Sequence, residues 1–153
     1  MSALKERLRA DLTTALKARD ALTVSTIRLA LGAISTAEVA GTEARELGDQ
    51  EVVEILTKEA KKRRESATAF EEGGRPELAQ KERDEAAILA VYLPEALDQE
   101  EIVAIVTAAI EQAGAAGEGM KAMGRVMGLV QPQVKGRADG GVVAAEVKRQ
   151  LGA

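Results

Sequence analysis

Residues 49–94 read DQEVVEILTKEAKKRRESATAFEEGGRPELAQKERDEAAILAVYLP, and the period of this stretch decides the fold. Val52, Leu56, Ala60, Arg63, Ala67 and Phe70 recur at steps of three and four, the spacing that aligns side chains on one face of an α-helix. Asp49 stands where an N-cap belongs, with Gln50 and Glu51 placing polar and negative groups in the first turn. Gly73-Gly74 ends this helix, and Pro76 opens the next in its first turn, where a missing N–H costs nothing. Leu78, Ala86, Leu89 and Leu93 give the second helix an inner face before Pro94 stops it. The pattern predicts two long helices folded back as an antiparallel hairpin.

The same period extends in both directions from the hairpin. Leu4, Leu8, Leu12, Ala15 and Arg19 mark an amphipathic helix over residues 2–18, and Asp20 breaks it and caps a second. Val24, Ile27, Leu31 and Ile34 carry that second helix, which packs back on the first and fades by Ala40-Gly41. Beyond Pro94, Asp98 with Glu101 three residues on forms a capping box, so residues 94–97 are the expected domain boundary. A fifth helix runs to about Gln112, and the glycines of residues 114–119 make a loop that admits left-handed backbone angles. Two shorter helices, from Met120 to about Val134 and from Asp139 to Leu151, close the chain. Strict apolar alternation is nowhere convincing. The expectation is an all-α protein: a larger helical domain over residues 1–95, about four helices with the long hairpin, and a small three-helix domain over residues 96–153.

Composition excludes much chemistry. The 153-residue chain contains no Cys and no His, which removes thiolate nucleophiles, zinc–thiolate sites and the commonest general base and metal ligand. Tyr92 and Phe70 are the aromatics and there is no Trp, so base stacking on aromatic platforms is not a binding mode here. A net charge of -4 argues against an indiscriminate nucleic-acid coat, and no DNA specificity is expected. The longest nearly apolar run, residues 102–110, is far shorter than the roughly 20 residues a membrane span needs. The opening MSALKER turns amphipathic at once, which points to the cytoplasm. Glu71-Glu72 and Glu100-Glu101 sit at helix ends, where solvation explains them better than catalysis, and the serines lack a nearby base. The run from Gly117 to Ala122 fits a loose dinucleotide pattern without the strand that such a loop requires. No cofactor and no metal are expected.

Two basic features remain. Lys61-Lys62-Arg63-Arg64 is the densest cationic run, but four consecutive helical residues sweep about 400° and cannot share a face. Glu54, Glu59 and Glu65 stand within pairing reach, so a solvated, salt-bridged surface competes with a partner contact. From Met120 to Arg149 six cations, Lys121, Arg125, Lys135, Arg137, Lys148 and Arg149, face two anions, Asp139 and Glu146, a local excess of four in an acidic chain. Met120, Met123, Met127, Val130 and Val134 form an apolar stripe, the expected core face, beside the cations. Gly124 and Gly128 leave a groove bare of side chains, suited to tight helix packing or to close approach by another backbone. Pro132 ends or kinks this helix, and Lys135-Gly136-Arg137 then turns outward ahead of Asp139, the cap of the last helix.

The residues Met123-Gly124-Arg125-Val126-Met127-Gly128, then Pro132, then Lys135-Gly136-Arg137-Ala138-Asp139-Gly140, closed by Val147-Lys148, resemble the signature of the YqeY-like family. That family is similar to the tail of the B subunit of aspartyl/glutamyl-tRNA amidotransferase. The resemblance extends forward through Ile27-Arg28-Leu29, Lys61-Lys62-Arg63-Arg64-Glu65 and Tyr92-Leu93-Pro94. It implies a larger helical part followed by a three-helix domain, and a tRNA-contacting appendage in which Lys121, Arg125, Lys135, Arg137 and Lys148 contact RNA while Gly124, Gly128 and Gly136 admit close approach. It also associates the chain with carbon–nitrogen ligation using glutamine as amido donor. The residues carry no ATP-binding loop and no amidase-type nucleophile, so the chain is expected to support such a reaction and not to perform it. The competing expectation is a helical protein–protein module that docks on an amidotransferase or an aminoacyl-tRNA synthetase.

Overall fold

The computed structural model describes residues 2–152. Among them there are seven α-helices, a short 3-10 helix and no strand. The chain forms two compact units, Met1–Leu93 and Pro94–Ala153.

The first unit holds α1 (Ala3–Ala18), α2 (Ala21–Glu38), α3 (Asp49–Glu72) and α4 (Pro76–Ala90). Ser2 caps α1 by accepting the Lys5 N–H at 2.9 Å, and Asp20 caps α2 by accepting the Thr23 N–H at 3.2 Å. Arg19 lies between them with φ +57°, a left-handed conformation that costs a non-glycine residue about 1–2 kcal/mol. α3 and α4 form the hairpin and share the most extensive contact in the unit, and α2 packs on α1, α3 and α4. Leu8, Ile27, Ile34, Val52, Leu56 and Leu89 are sealed in the core.

Three details depart from the periodic reading. Gly48, not Asp49, occupies the cap of α3. The Asp49 carboxylate instead accepts the Leu4 N–H at 3.1 Å, satisfying an orphan donor of α1 forty-five residues away. On α4 the buried positions are Ala79, Glu85, Ala86 and Leu89, with Leu78 only half-buried. The inward carboxylate belongs with Arg63, which is 8% exposed and donates through Nε to Glu85 at 3.2 Å and through an Nη to the Glu59 carbonyl and carboxylate. Glu85 is drawn inward to meet it, while Leu78, on the same face two turns earlier, lies in the first turn of α4 and stays half-buried. Tyr92 closes the unit: its hydroxyl donates to Asp11, and Arg7 lies over its ring at 4.7 Å. Burial first, then the Asp11 carboxylate, pushes the phenol above its ordinary range, so the proton stays on it.

The second unit holds α5 (Gln99–Ala113), a 3-10 helix (Gly119–Ala122), α6 (Met123–Val134) and α7 (Gly140–Gln150). Asp98 caps α5 through the Glu101 N–H at 2.8 Å, as the capping box requires. Gly114, Gly117 and Gly119 all take left-handed angles in the connecting loop. α5, α6 and α7 pack pairwise around Val106, Val126, Val130, Val143 and Val147.

Candidate nucleic-acid interface

The methionine stripe is not the core face of α6. Ala122, Val126, Val130 and Val134 are buried at four-residue steps, whereas Met123 and Met127 flank them half-buried and Met120 is 42% exposed. Residues 119–122 wind as a 3-10 helix with three residues per turn, which takes Met120 out of the register of α6. Pro132 sits inside the last turn, and the helix ends two residues later.

With the valines inward, the opposite side of the helix is set. Gly124, Arg125, Gly128 and Pro132 are exposed and fall within one strip of the α6 wheel, with the exposed Lys121 in the 3-10 turn before it and the exposed Lys135 at its C-cap. A Cβ added at Gly124 or Gly128 would meet no atom within 4 Å, so no packing inside the chain requires either glycine. The tight-packing role considered for them is overturned: their bare backbone faces open space. Gly136 serves differently. Its φ of +77° lets the chain fold back so that the Arg137 N–H (2.8 Å) and the Ala138 N–H (3.1 Å) both reach the Val134 carbonyl.

The cations fall into classes that spacing alone did not separate. Arg125 is more than half exposed but ion-paired with Glu118 across the loop. Arg137 is only half-exposed: its Nε donates to the Glu95 carbonyl at 3.2 Å, and its own carbonyl accepts the Leu97 N–H at 2.8 Å, stapling the start of the unit to the turn before α7. Arg149 is held by the buried Glu146, which also accepts from Gln150 and Gln99; the Arg149 hydrogen bond holds that carboxyl below the usual carboxylate range. Lys121 and Lys148 have no ion pair among the described residues, Lys148 standing on the exposed side of α7. Lys135 is exposed at the end of α6, and Asp139 caps α7 through the Gly141 N–H at 2.7 Å.

In the second basic cluster, Lys61, Lys62 and Arg64 are exposed, with Lys62 3.6 Å from Glu59. Arg63 is withdrawn into the hairpin, a correction to its reading as part of a solvated face. Its place in the inward series Val52–Leu56–Ala60–Arg63–Ala67 was the signal; its partner Glu85 carried none. No group of three or more carboxylates suited to a metal ion occurs among the described residues, and no helix there is long and apolar enough to cross a membrane.

Among curated proteins the chain is similar to "Altered inheritance of mitochondria protein 41, mitochondrial" of Pyrenophora tritici-repentis (strain Pt-1C-BFP), with 29% identity over 150 residues, 96% of this chain and 80% of that protein. The profile of the family described as Yqey-like protein matches residues 5–151, nearly the whole of both units. The chain therefore belongs to the YqeY-like family.

Proposed function

We propose that this protein is a non-catalytic, cytoplasmic accessory factor that binds tRNA through the exposed face of α6, in support of glutamine-dependent amidotransfer on tRNA. The observation that carries the reading is the α6 strip with its two flanks: Arg125 beside the bare backbone of Gly124 and Gly128, with Lys121 exposed in the turn before the helix and Lys135 at its end. Cations placed on a helix and at both its ends suit a line of phosphates, and glycines admit a sugar–phosphate backbone to contact distance. Lys148 adds to the same electrostatic field from α7, whereas Arg137 positions the turn that presents Lys135.

Titrating tRNA at several salt concentrations tests this. Each neutralised phosphate contributes about -0.9 to the slope of log affinity against log salt. Replacing Lys121, Arg125 and Lys135 together by Ala is expected to make the slope about 2.7 units shallower. No binding at low salt, or an unchanged slope, overturns the reading. The open Gly124/Gly128 surface equally suits a helix of an amidotransferase or a synthetase, and Gly128→Ala enters the comparison for that reason. If RNA-independent capture of such an enzyme is lost in Gly128→Ala while tRNA affinity is unaffected, protein docking replaces RNA binding as the function of this face.

A further inference from the structure

The corner between α1 and α2, in the other unit, carries an apolar groove of about 690 Å³. Its floor is Ala21 and Val24, its walls are Leu16 and Leu29, 47% and 59% exposed, and its two rims are Arg19 and Arg28. Two large leucines left half in water beside each other are unusual on a surface this rich in charge. Both arginines are exposed, and neither has an ion pair or side-chain hydrogen bond among the described residues. Arg19 also holds a left-handed backbone position where glycine is the easy choice, keeping a guanidinium at the mouth of the groove.

We infer that this groove docks an acidic amphipathic helix of a partner protein, its leucine-type side chains entering between Leu16 and Leu29 and its carboxylates engaging Arg19 and Arg28. The planar guanidinium forks pair carboxylates bidentately, and the apolar floor requires an apolar stripe between them. On a docked helix, carboxylates seven residues apart, about 10 Å, with apolar residues three and four after the first, put two charges and the apolar pair between them on one face. A second copy using the same face would bring four guanidiniums together, which disfavours self-association here. A nucleic acid or an anionic membrane is disfavoured by the rest of the unit: residues 1–93 contain fifteen cations and seventeen anions, so nothing steers a polyanion toward this corner.

The test is a two-dimensional NMR titration of the full chain. The probe is a synthetic amphipathic peptide of about 14 residues, four helical turns, with Glu and Leu at those spacings. Expected are shifts clustered around Leu16, Ser25 and Leu29, with binding roughly tenfold weaker in Arg28→Glu and several-fold weaker in Arg19→Gly, a change that relieves the backbone and keeps the fold. A control peptide with Lys in place of Glu is expected to leave these resonances still. The inference is overturned if the acidic peptide moves nothing at this corner, if the Lys peptide binds as well, or if tRNA or anionic phospholipid vesicles move these resonances and the acidic peptide does not.

Discussion

The hydroxyl of Thr26 is fully buried in the first unit and has no hydrogen-bond partner among the described residues, a rare state for a group that loses its water on folding. Thr26→Val keeps the branched shape and replaces the orphaned oxygen by a methyl, so it is expected to stabilise the protein by about 1 kcal/mol. A urea titration checks this; an unchanged or lower midpoint would mean the hydroxyl is satisfied. Thr26 was not legible as a core residue because the series Val24, Ile27, Leu31, Ile34 describes one stripe, whereas α2 packs on α1, α3 and α4 and is buried around more of its circumference. The caps at Asp20, Asp98 and Asp139 form a contrast: each was readable, because a capping side chain reaches only two or three residues along its own chain.

At the scale of the element, the α3–α4 hairpin is bolted by a buried ion pair inside an otherwise apolar seam. Removing Glu85 strips the buried Arg63 Nε of its acceptor and leaves the guanidinium only Glu59, so Glu85→Ala is expected to cost about 1–3 kcal/mol. The double replacement Arg63→Met, Glu85→Leu should recover most of that, and chemical denaturation of the three proteins checks both statements. The hairpin was plain from its glycines and prolines, but the pair was not: periodicity placed Arg63 inward while its charge argued for water, and only the register of two helices decides such a conflict. α6 shows the complementary failure: Val126, Val130 and Val134 form its core face, with Met123 and Met127 half-buried beside them and Met120 outside the helix in a 3-10 turn.

Across the whole molecule, charge is sorted by what holds it. Glu38 is held below the usual carboxylate range by the Lys5 ammonium at 2.6 Å in the first unit, and Glu146 by Arg149 in the second. Because both are depressed on folding, they bind fewer protons in the native state, so their contribution is complete above the ordinary glutamate value of 4.5 and is lost as the pH falls below it. Melting temperature is therefore expected to decline between about pH 5 and pH 3, and Glu38→Gln is expected to flatten part of that decline. A profile identical to that of the parent would show that the Lys5 pair adds nothing. The sign reversal between Met120 and Arg149 was legible by counting, but the pairing of Arg125 with Glu118 and the stapling role of Arg137 depend on a loop and a turn that no count contains.

The Tyr92–Asp11 contact ties the last turn of the first unit to its first helix, eighty-one positions apart. During synthesis the N-terminal helix leaves the ribosome first, yet the residue that closes over it emerges last. A nascent chain halted anywhere before Tyr92 thus holds α1 with Asp11 paired only to Arg7 on its own helix and Arg7 without its ring. The first unit completes itself in one late step, as its boundary with the second clears the exit tunnel.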